Sequence, residues 1–383
     1  MPDKLSILYL IDELWLKGGT EKHLLELAKG MALRGHKVVV RSLWDGECGA
    51  LFREEPLIDY DCLKIRKVYN FKGISELTRF YSFIKSSRFD IIQTFHTSAD
   101  LVGPILARTS NTGASVISSR RDTGYTKSSR HIYAQKILNR WVDKILANSS
   151  AVKQSVLDME NVDSGKVEII YNGINLDQFI SIDEGQIHQF REQYQIPANK
   201  VFVGSVGNAR PIKGYQTMVE VAAILCHKYP QLHFLHAGTC FSDVKPGLVQ
   251  FCNDNGITDQ FTFLGQITQI PAFLSILDIY IQPSLSEGFS NSILEAMATD
   301  LPVVATSVGG TPEMVTHGYN GYLFSPKDVT GCCECLIPLI ESKVLRHELG
   351  RHAQHITIQK FSIENMIDKY ESLYMRLRTV NDV

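Results

Sequence analysis

The sequence lacks any apolar run long enough to cross a membrane. The apolar stretch near its start, residues 5–11, is followed at once by Asp12 and Glu13. A spanning helix needs about 20 apolar residues, and such an acidic flank is not typical of a signal peptide. We therefore expect a cytoplasmic protein, either free in solution or docked peripherally on the inner face of the membrane.

A strong net charge and paired metal-binding cysteines are also absent. The formal net charge is −2, which gives no reason to expect a nucleic-acid partner. Three of the eight cysteines lie between residues 332 and 335, ahead of three histidines between residues 347 and 355. Their spacing fits no set of C-x-x-C pairs, so we do not expect a zinc site. Free thiols in a reducing compartment are the simpler interpretation.

Apolar runs and helical patterns instead alternate along the whole chain. At 383 residues the chain is long enough for two domains. The alternation predicts an α/β protein whose doubly wound parallel sheets carry helices on both faces. The polar segment 176–199 reads as the link between a first domain, residues 1–180, and a second, residues 181–360. A stripe of apolar residues with helical spacing, from Ile363 to Leu377, predicts a terminal helix.

The segment Ser284–Thr299 carries the most specific pattern of strand, loop and helix. The apolar run before it ends at Pro283, and Ser290 and Asn291 are both good N-caps for the helix formers that follow. The free N–H groups and the positive dipole end between Asn291 and Ile293 suit a phosphate. We therefore expect a phosphate to bind at the start of this helix.

Two glutamates flank that anion site. Glu287 lies in the loop beside Gly288, which lets the backbone approach a ligand closely, and Glu295 lies on the second helical turn. Carboxylates cannot hold the phosphate itself, so their natural partners are neutral hydroxyls such as those of a sugar or a ribose. Solvated surface glutamates are the alternative, because exposed glutamates are common.

A second loop brings two cations to the end of another strand. Lys200–Val206 reads as a strand, and the Gly-bounded loop 207–214 follows it, with Arg210 and Lys213 ahead of the next helix. Arginine offers a bidentate fork to phosphate, and lysine offers a point charge. Taken alone, either cation is equally compatible with a solvated surface residue.

The first half of the chain places further polar residues after its strands, where the ligands of parallel sheets bind. Gly18 and Gly19 separate the first strand from a helix that Thr20 can cap, although a double glycine is more often a tight turn. The other polar residues that follow a strand are His96, Arg120, Arg121 and Asn148.

These motifs together resemble the retaining glycosyltransferases of family 4, the group 1 class with the GT-B fold. Glu287 and Glu295 match the E-G-F-x-x-x-x-x-E signature of that family, with seven residues between the acids. The loop 207–214 is similar to the family's loop for the donor diphosphate. The likeness extends over nearly the whole chain, through the Gly-Gly loop near residue 18 and the turn at residues 172–174.

The resemblance implies two Rossmann-like domains facing across a cleft, with the terminal helix, residues 361–378, packed back on the first domain. It implies transfer of a sugar from a nucleotide-diphosphate donor to an acceptor hydroxyl with retained anomeric configuration, in surface polysaccharide or glycolipid assembly. It also implies a site that uses cations and helix dipoles instead of a metal ion or another cofactor. Asp59-Tyr60-Asp61 does spell D-x-D, but it lies far from the donor loop and reads as a surface turn.

The resemblance also assigns roles to single residues. Arg210 and Lys213 would hold the donor diphosphate and stabilise it as it leaves. Glu287 would contact the donor sugar, and Glu295 the ribose. His96 would contact the sugar or the acceptor, although a structural histidine fits its neighbours equally well. The remaining donor-binding candidates are Gly18, Gly19, Asn208, Gly288, Phe289, Ser290, Asn291 and Ser292, and the acceptor-side candidates are Arg120, Arg121 and Asn148.

Two other functions are weighed beside transfer. One is a sugar-nucleotide epimerase, a class that does not use the two glutamates in this way. The other is a sugar-nucleotide-binding protein without transferase activity, which the presence of the donor-site residues disfavours. Neither the sugar nor the base of the nucleotide follows from the sequence.

A basic run in the first half predicts peripheral contact with anionic lipid. Residues 1–180 hold 25 Lys and Arg against 21 Asp and Glu, and interleaved aromatic residues suit a membrane interface. We therefore expect this run to contact the membrane and the acceptor to be lipid-linked or a saccharide. The alternative is that the run is an ordinary solvated loop. The run and its aromatics are Lys64, Arg66, Lys67, Tyr69, Phe71 and Lys72.

Overall fold

The chain divides into two units, and its terminal segment belongs to the first of them. The computed structural model describes residues 4–14, 18–46, 49–66, 70–125, 128–180, 182–239 and 244–381. Unit 1 comprises residues 1–173 with 363–383, and unit 2 comprises residues 174–362. The boundary that the sequence places at residue 180 thus lies at residue 173.

Unit 1 contains a parallel sheet, and most of its strands are apolar runs of the first half of the chain. Within the described residues these strands are β1 (Ser6–Glu13), β2 (Lys37–Trp44), β3 (Ile58–Cys62), β4 (Ile91–Phe95), β5 (Ser115–Arg120), β6 (Lys144–Ala147) and β7 (Val167–Ile169). Their spatial order is β3-β2-β1-β4-β5-β6-β7. The order reverses between β1 and β4, so the loops after these two strands flank the point where such sheets bind ligands.

The helices of unit 1 cover the sheet as the alternating sequence pattern predicts. Those that connect its strands are α1 (Gly19–Leu33), α2 (Gly49–Arg53), α3 (Phe71–Ser87), α4 (Thr97–Ser110), α5 (Ser129–Leu138) and α6 (Ser150–Glu160). A 3₁₀ turn at Asn139–Trp141 follows α5 directly. Helix α1 begins at Gly19, with Gly18 in the N-cap position, so the prediction that Thr20 caps this helix is wrong.

Unit 2 repeats this architecture with a parallel sheet of its own. Its strands are β8 (Val201–Val206), β9 (Leu232–Ala237), β10 (Phe261–Gly265), β11 (Ile279–Gln282), β12 (Val303–Thr306) and β13 (Gly321–Phe324), in the order β10-β9-β8-β11-β12-β13. Its helices are α7 (Asp177–Ile180), α8 (Glu184–Gln193), α9 (Tyr215–Lys228), α10 (Lys245–Asp254), α11 (Ile270–Ser275), α12 (Asn291–Ala298), α13 (Thr311–Met314), α14 (Val329–Glu341) and α15 (Lys343–Lys360). The predicted doubly wound α/β class is therefore confirmed.

The last helix, α16 (Ile363–Asn381), packs into the core of unit 1. Gly30 on α1 allows the close approach, because a Cβ there would overlap the Ile367 side chain. The buried stripe matches the periodicity of the sequence, and its members are Ile363, Met366, Ile367, Tyr370, Leu373 and Tyr374. In the described part of the chain, no helix is both long and apolar enough to span a bilayer.

Two segments differ from the sequence interpretation. The stretch 176–199 is not a bare linker, because helices α7 and α8 form there and Phe190 is fully buried against Phe273. Asp59-Tyr60-Asp61 lies in strand β3 and not in a surface turn, and Asp59 pairs with Arg41 at 3.0 Å. Both segments are mostly polar, so their few buried apolar side chains give no clear helix or strand pattern in the sequence.

Candidate active site

In unit 2, two loops leave neighbouring strands at the point where the strand order reverses. Strand β8 lies between β9 and β11, so the loop after β8 and the loop after β11 start side by side at the carboxyl edge of the sheet. Leu285 N–H donates to the Ile212 carbonyl at 2.8 Å. A Cβ on Gly214 would overlap the Pro283 carbonyl, so this contact between the loops requires glycine.

The start of the first loop is fixed by a buried histidine. The Gly207 carbonyl accepts from His236 Nε2 at 2.9 Å and from the Tyr215 hydroxyl at 3.3 Å. Burial lowers the pKa of His236 to about 4, even though the Gly207 carbonyl opposes that shift. The ring is therefore neutral at pH 7, and Nε2 carries its proton. Asn208 adds a further link by accepting the Thr239 N–H at 3.2 Å.

The side chains of the two loops meet at an ion pair. Lys213 Nζ donates to Glu287 Oε1 at 2.6 Å, and the same oxygen accepts from the Ser284 hydroxyl at 2.6 Å and from Gln282 Nε2 at 3.1 Å. The Glu287 side chain is 9% exposed and that of Lys213 is 27% exposed. Arg210 is exposed on the same loop as Lys213. The predicted cation loop and the predicted glutamate loop thus form one cluster.

Gln282, at the end of strand β11, supports this cluster through hydrogen bonds. Its Oε1 accepts from the Tyr280 hydroxyl at 2.8 Å and from the Ser292 hydroxyl at 3.3 Å, while its Nε2 reaches Ser284 and Glu287. Gln282 is 1% exposed, so the carboxylate orientation is fixed by a buried hydrogen-bond network. Sequence reasoning missed this role, although a glutamine at the end of an apolar strand was the available signal.

A glycine turn supports the back of the glutamate loop. A Cβ on Gly309 would overlap the Glu287 carbonyl, and Gly309 has a φ of +51°. Gly310 N–H donates to the Gly288 carbonyl at 3.1 Å. The glycines that the sequence places before α13 therefore allow a close backbone approach at this site.

Helix α12 begins where the sequence predicts. Ser290 is its N-cap, and the Ser290 hydroxyl accepts the Ile293 N–H at 3.4 Å. That N–H group is therefore engaged within the protein, contrary to the expectation that it is free for an anion. Asn291 and Ser292 are partly exposed on the first turn, and Glu295 is 8% exposed on the second.

In unit 1, the corresponding reversal point brings His96 beside Glu21. His96 precedes α4 with a φ of +69°, and its Nε2 lies 3.7 Å from Glu21 Oε1. Burial lowers the pKa of His96, but Glu21, Asp12 and Asp100 raise it by more, so that pKa lies above its ordinary value. The Glu21 side chain also folds over Gly18, where a Cβ would overlap its carboxylate. Sequence reasoning placed His96 and Gly18 here but missed Glu21.

Arg120 occupies an internal position that the sequence did not indicate. It belongs to β5, is 2% exposed, and pairs with Asp100 at 2.6 Å and with Glu160 at 2.9 Å. Burial lowers the pKa of Arg120, but the two carboxylates raise it by more, so it stays charged. Its guanidinium is directed at partners inside the protein and is not available to an acceptor.

Arg121 and Asn148 lie together at the same edge of the sheet. Asn148 Nδ2 donates to the Arg121 carbonyl at 3.3 Å, and the Arg121 guanidinium donates to Asn172. Burial lowers the pKa of Arg121, whereas Tyr370 and Glu21 oppose that shift. Among the described residues, no group of three or more His, Cys, Asp or Glu side chains is arranged to hold a metal ion.

Two family models match the chain. The one described as Glycosyltransferase Family 4 covers residues 17–178, and the one described as Glycosyl transferases group 1 covers residues 186–356. Together they span most of both units. The chain belongs to glycosyltransferase family 4.

Two curated relatives show how far this family 4 chain resembles characterised proteins. It is 28% identical over 209 residues to the N-acetyl-alpha-D-glucosaminyl L-malate synthase of Bacillus anthracis, a match that covers 54% of this chain and 53% of the relative. It is 23% identical over 323 residues to the UDP-Gal:alpha-D-GlcNAc-diphosphoundecaprenol alpha-1,3-galactosyltransferase of Escherichia coli, with 81% of each chain covered. The chain thus spans about half the length of the first relative and most of the second.

Solved structures show the same fold as this family 4 chain. Anabaena Alr3699/HepE, crystallised in complex with UDP, superposes with a TM-score of 0.85 at 23% identity, over 97% of this chain and 100% of the other. WaaG, a glycosyltransferase involved in lipopolysaccharide biosynthesis, superposes with a TM-score of 0.76 at 15% identity, over 96% and 99%. The predicted GT-B fold is confirmed.

Proposed function

We propose that this family 4 protein transfers a sugar from a nucleotide-diphosphate donor to an acceptor hydroxyl with retention of anomeric configuration. The observation that carries the proposal is the cluster of Lys213 and Glu287 at the strand-order reversal of unit 2, beside the start of α12. The transition state of such a transfer places positive charge on the sugar and negative charge on the leaving diphosphate. A site that presents a cation and a carboxylate within one cluster suits both charges.

The donor diphosphate is assigned to the cations of loop 207–214. Arg210 supplies an exposed guanidinium fork, and Lys213 supplies a partly exposed ammonium. The first turn of α12, at Asn291 and Ser292, adds the positive end of the helix dipole. The backbone around Asn208 is well held, which favours a preorganised phosphate site.

The donor sugar and ribose are assigned to the two glutamates. Glu287 is oriented by hydrogen bonds from Lys213, Ser284 and Gln282, and it is assigned to accept sugar hydroxyls and to oppose the positive charge that develops on the ring. Glu295, nearly buried on the second turn of α12, is assigned to the ribose hydroxyls. Gly288, Phe289 and Ser290 shape the loop, and Phe289 packs its ring 5.5 Å from that of Phe361.

In unit 1, His96 is assigned to a contact with the sugar or the acceptor. Gly18 and Gly19 are assigned to donor binding through their backbone. Arg121 and Asn148 remain acceptor-side candidates, whereas Arg120 pairs with Asp100 and Glu160. The raised pKa of His96 favours a charged imidazole beside Glu21.

The acceptor is assigned to a lipid-linked or surface saccharide handled at the membrane. The Escherichia coli relative is named for a diphosphoundecaprenol-linked acceptor. Lys67 and Tyr69 of the basic run lie outside the described residues, but Phe71 and Ile74 on α3 are 91% and 54% exposed. Exposed apolar side chains beside lysine suit peripheral contact with an anionic leaflet.

The direct test is an incubation of the purified chain with a panel of sugar nucleotides and candidate saccharide acceptors. Proton NMR then reports the anomeric configuration of each product. We expect one sugar nucleotide to be consumed and its product to keep the configuration of the donor. An inverted product would overturn retention. Consumption with interconversion of sugar nucleotides but no transfer would favour an epimerase, and binding without consumption would favour a protein that only binds the donor.

A further inference from the structure

The side chain of Glu21 lies against the loop that leads into α1. Glu21 belongs to the first turn of that helix, and its side chain is 7% exposed. A Cβ added to Gly18 would lie 1.7 Å from Glu21 Oε2, so the carboxylate occupies the space that a larger residue would fill. Gly18 has a φ of −101° and a ψ of 141°, an extended conformation that alanine adopts without strain. Glycine is therefore required here by the carboxylate and not by the backbone.

His96 adopts a backbone conformation that is essentially reserved for glycine. Its φ is +69° and its ψ is 170°, a combination that other residues keep only where the surrounding structure holds them in it. His96 is the N-cap of α4, yet its side chain makes no capping hydrogen bond. Asp12 caps the helix instead, by accepting the Ser98 and Ala99 N–H groups. The imidazole thus has no part in starting the helix, and such strain typically marks a functional position.

These two side chains face each other at the carboxyl edge of the sheet in unit 1. His96 Nε2 lies 3.7 Å from Glu21 Oε1, and the His96 side chain is 38% exposed. The second carboxylate oxygen, Oε2, has no hydrogen-bond partner among the described residues. An opposite charge within about 4–6 Å favours the charged form of a histidine. The buried carboxylate can thus act on a ring that stays accessible to a ligand.

The other carboxylates near the ring are already engaged within the protein. Asp12 accepts two N–H groups at the start of α4. Asp100, on α4 itself, pairs with a buried arginine at 2.6 Å. Asp122, which lines the same small recess as His96, accepts a backbone N–H at 2.7 Å. Glu21 is therefore the carboxylate whose partner is the ring.

The cations near the ring do not cancel this effect. Arg120 and Arg121 line the recess with His96. Arg120 pairs with two buried carboxylates, and Arg121 is itself acted on by Glu21. His23 of α1 adds no charge at pH 7, because burial lowers its pKa. Burial also lowers the pKa of His96, but the neighbouring carboxylates, Glu21 first among them, raise it by more.

We propose that Glu21 is a positioning residue that keeps His96 as an imidazolium, and that the absence of a side chain at Gly18 makes room for its carboxylate. An imidazolium donates from both ring nitrogens and has no lone pair. Its Nε2–H is directed to Glu21, and its Nδ1–H is left to donate to an oxygen of a ligand. His96 thus acts as a charged hydrogen-bond donor and not as a general base. The inference rests on the proposed transferase function and adds the charge state and the partner of one of its residues.

The first test follows the titration of the His96 ring by NMR in the full chain without ligand, with His96→Gln to assign the resonance. Glu21→Gln keeps the shape of the side chain and an acceptor oxygen but removes the charge. The titration midpoint of His96 should therefore move to lower pH. Glu26→Gln, at a carboxylate further along the same helix, is the matched control and should titrate like the wild type. An unchanged midpoint in folded Glu21→Gln would overturn the proposal.

Gly18→Ala tests the same pair without altering either partner. The added methyl group meets only the far end of the Glu21 side chain, so we expect a Tm close to that of the wild type and a lower His96 midpoint. Combining this change with Glu21→Gln should lower the midpoint no further, because both remove one interaction. Gly247→Ala, where a Cβ meets no atom within 4 Å, is the control. A wild-type midpoint in Gly18→Ala, or additive shifts in the double variant, would contradict the role given to the glycine.

Turnover then shows whether the charge is used in transfer. Activity of the wild type should fall as the pH rises through the folded pKa of His96, because the charged form is lost there. In Glu21→Gln this basic limb of kcat should move to lower pH by the same interval as the NMR midpoint. The loss should be smallest below both midpoints, where the ring is charged in either protein.

The two readouts also separate this proposal from the function on which it rests. A basic limb that stays in place while the NMR midpoint moves would refute the use of the charged ring in transfer. A wild type that consumes no sugar nucleotide would refute the transferase function. A lower midpoint in Glu21→Gln and Gly18→Ala would still support the pairing of Glu21 with His96 in that case.

Discussion

Lys213 Nζ and Glu287 Oε1 lie 2.6 Å apart, although the two residues are 74 positions apart in the sequence. The pair joins the loop after β8 to the loop after β11, and both loops start at the reversal of strand order in unit 2. In the proposed complex, the donor diphosphate lies toward Lys213 and the donor sugar toward Glu287. The pairing therefore links the two halves of the proposed donor site before any ligand binds.

Removing either cation of the first loop should slow turnover strongly without unfolding the protein. We expect Lys213→Ala and Arg210→Ala each to lower kcat/KM by about 10²–10³, the usual cost of losing a charge partner of the transition state. Steady-state kinetics with the sugar nucleotide measures the loss. Lys245→Ala, at an exposed lysine of the same unit, is the matched control. Near-normal turnover in both loop variants would refute the assignment of these cations to the diphosphate.

The two glutamates should differ in which kinetic constant they affect. Glu295→Ala should mainly raise the KM for the donor, because ribose contacts are similar in the ground and transition states. Glu287→Gln should mainly lower kcat, because its charge matters most as the sugar becomes cationic. Initial rates over a range of donor concentrations separate the two effects. Loss of kcat alone in both variants would show that the division of roles is wrong.

The local features of this site were predictable from the sequence, whereas its long-range pairings were not. The Ser290 cap and the positions of Glu287 and Glu295 follow from neighbouring residues, which set where a loop ends and a helix begins. The environment of Arg120 depends on Asp100 and Glu160, which lie 20 and 40 residues away. Helix α8 was not predicted because its sequence is polar, and the buried Phe190 does not by itself make an apolar pattern with helical spacing.

Protonation of His236 should destabilise the fold in mild acid. Its folded-state pKa of about 4 lies below the ordinary value of 6.5, so the unfolded chain binds the proton more tightly. Stability is fully present above pH 6.5 and falls as the pH drops toward 4. Between pH 6.5 and 5 this single histidine should cost about 1.5 kcal/mol.

Chemical denaturation at pH 6.5 and pH 5 checks this expectation. His236→Gln should lose less stability between the two pH values than the wild type, by about the 1.5 kcal/mol derived above. His188→Gln, at a histidine whose side chain is 74% exposed, should behave like the wild type. An identical pH dependence in all three proteins would show that His236 is not the group responsible.

Binding to vesicles should depend on the exposed start of α3. We expect the chain to co-sediment with anionic vesicles at low salt and to be released at high salt, because charges are screened over about 8 Å at physiological ionic strength. Replacing Phe71 and Lys72 together by serine should lower the bound fraction severalfold. Leu33→Ser, at a 76% exposed leucine of the same unit, is the control. Equal, negligible binding to anionic and neutral vesicles would favour a soluble acceptor.

The central claim is that loop 207–214 and the segment from Glu287 to Glu295 form a nucleotide-sugar site. Calorimetric titration of the wild type, Lys213→Ala and Glu295→Ala with UDP, GDP and ADP tests it most directly. We predict that the wild type binds one of these nucleotides, that Glu295→Ala weakens that binding through the ribose, and that Lys213→Ala weakens it through the diphosphate. Binding that is undiminished in both variants, or absent for every nucleotide in the wild type, would contradict the account.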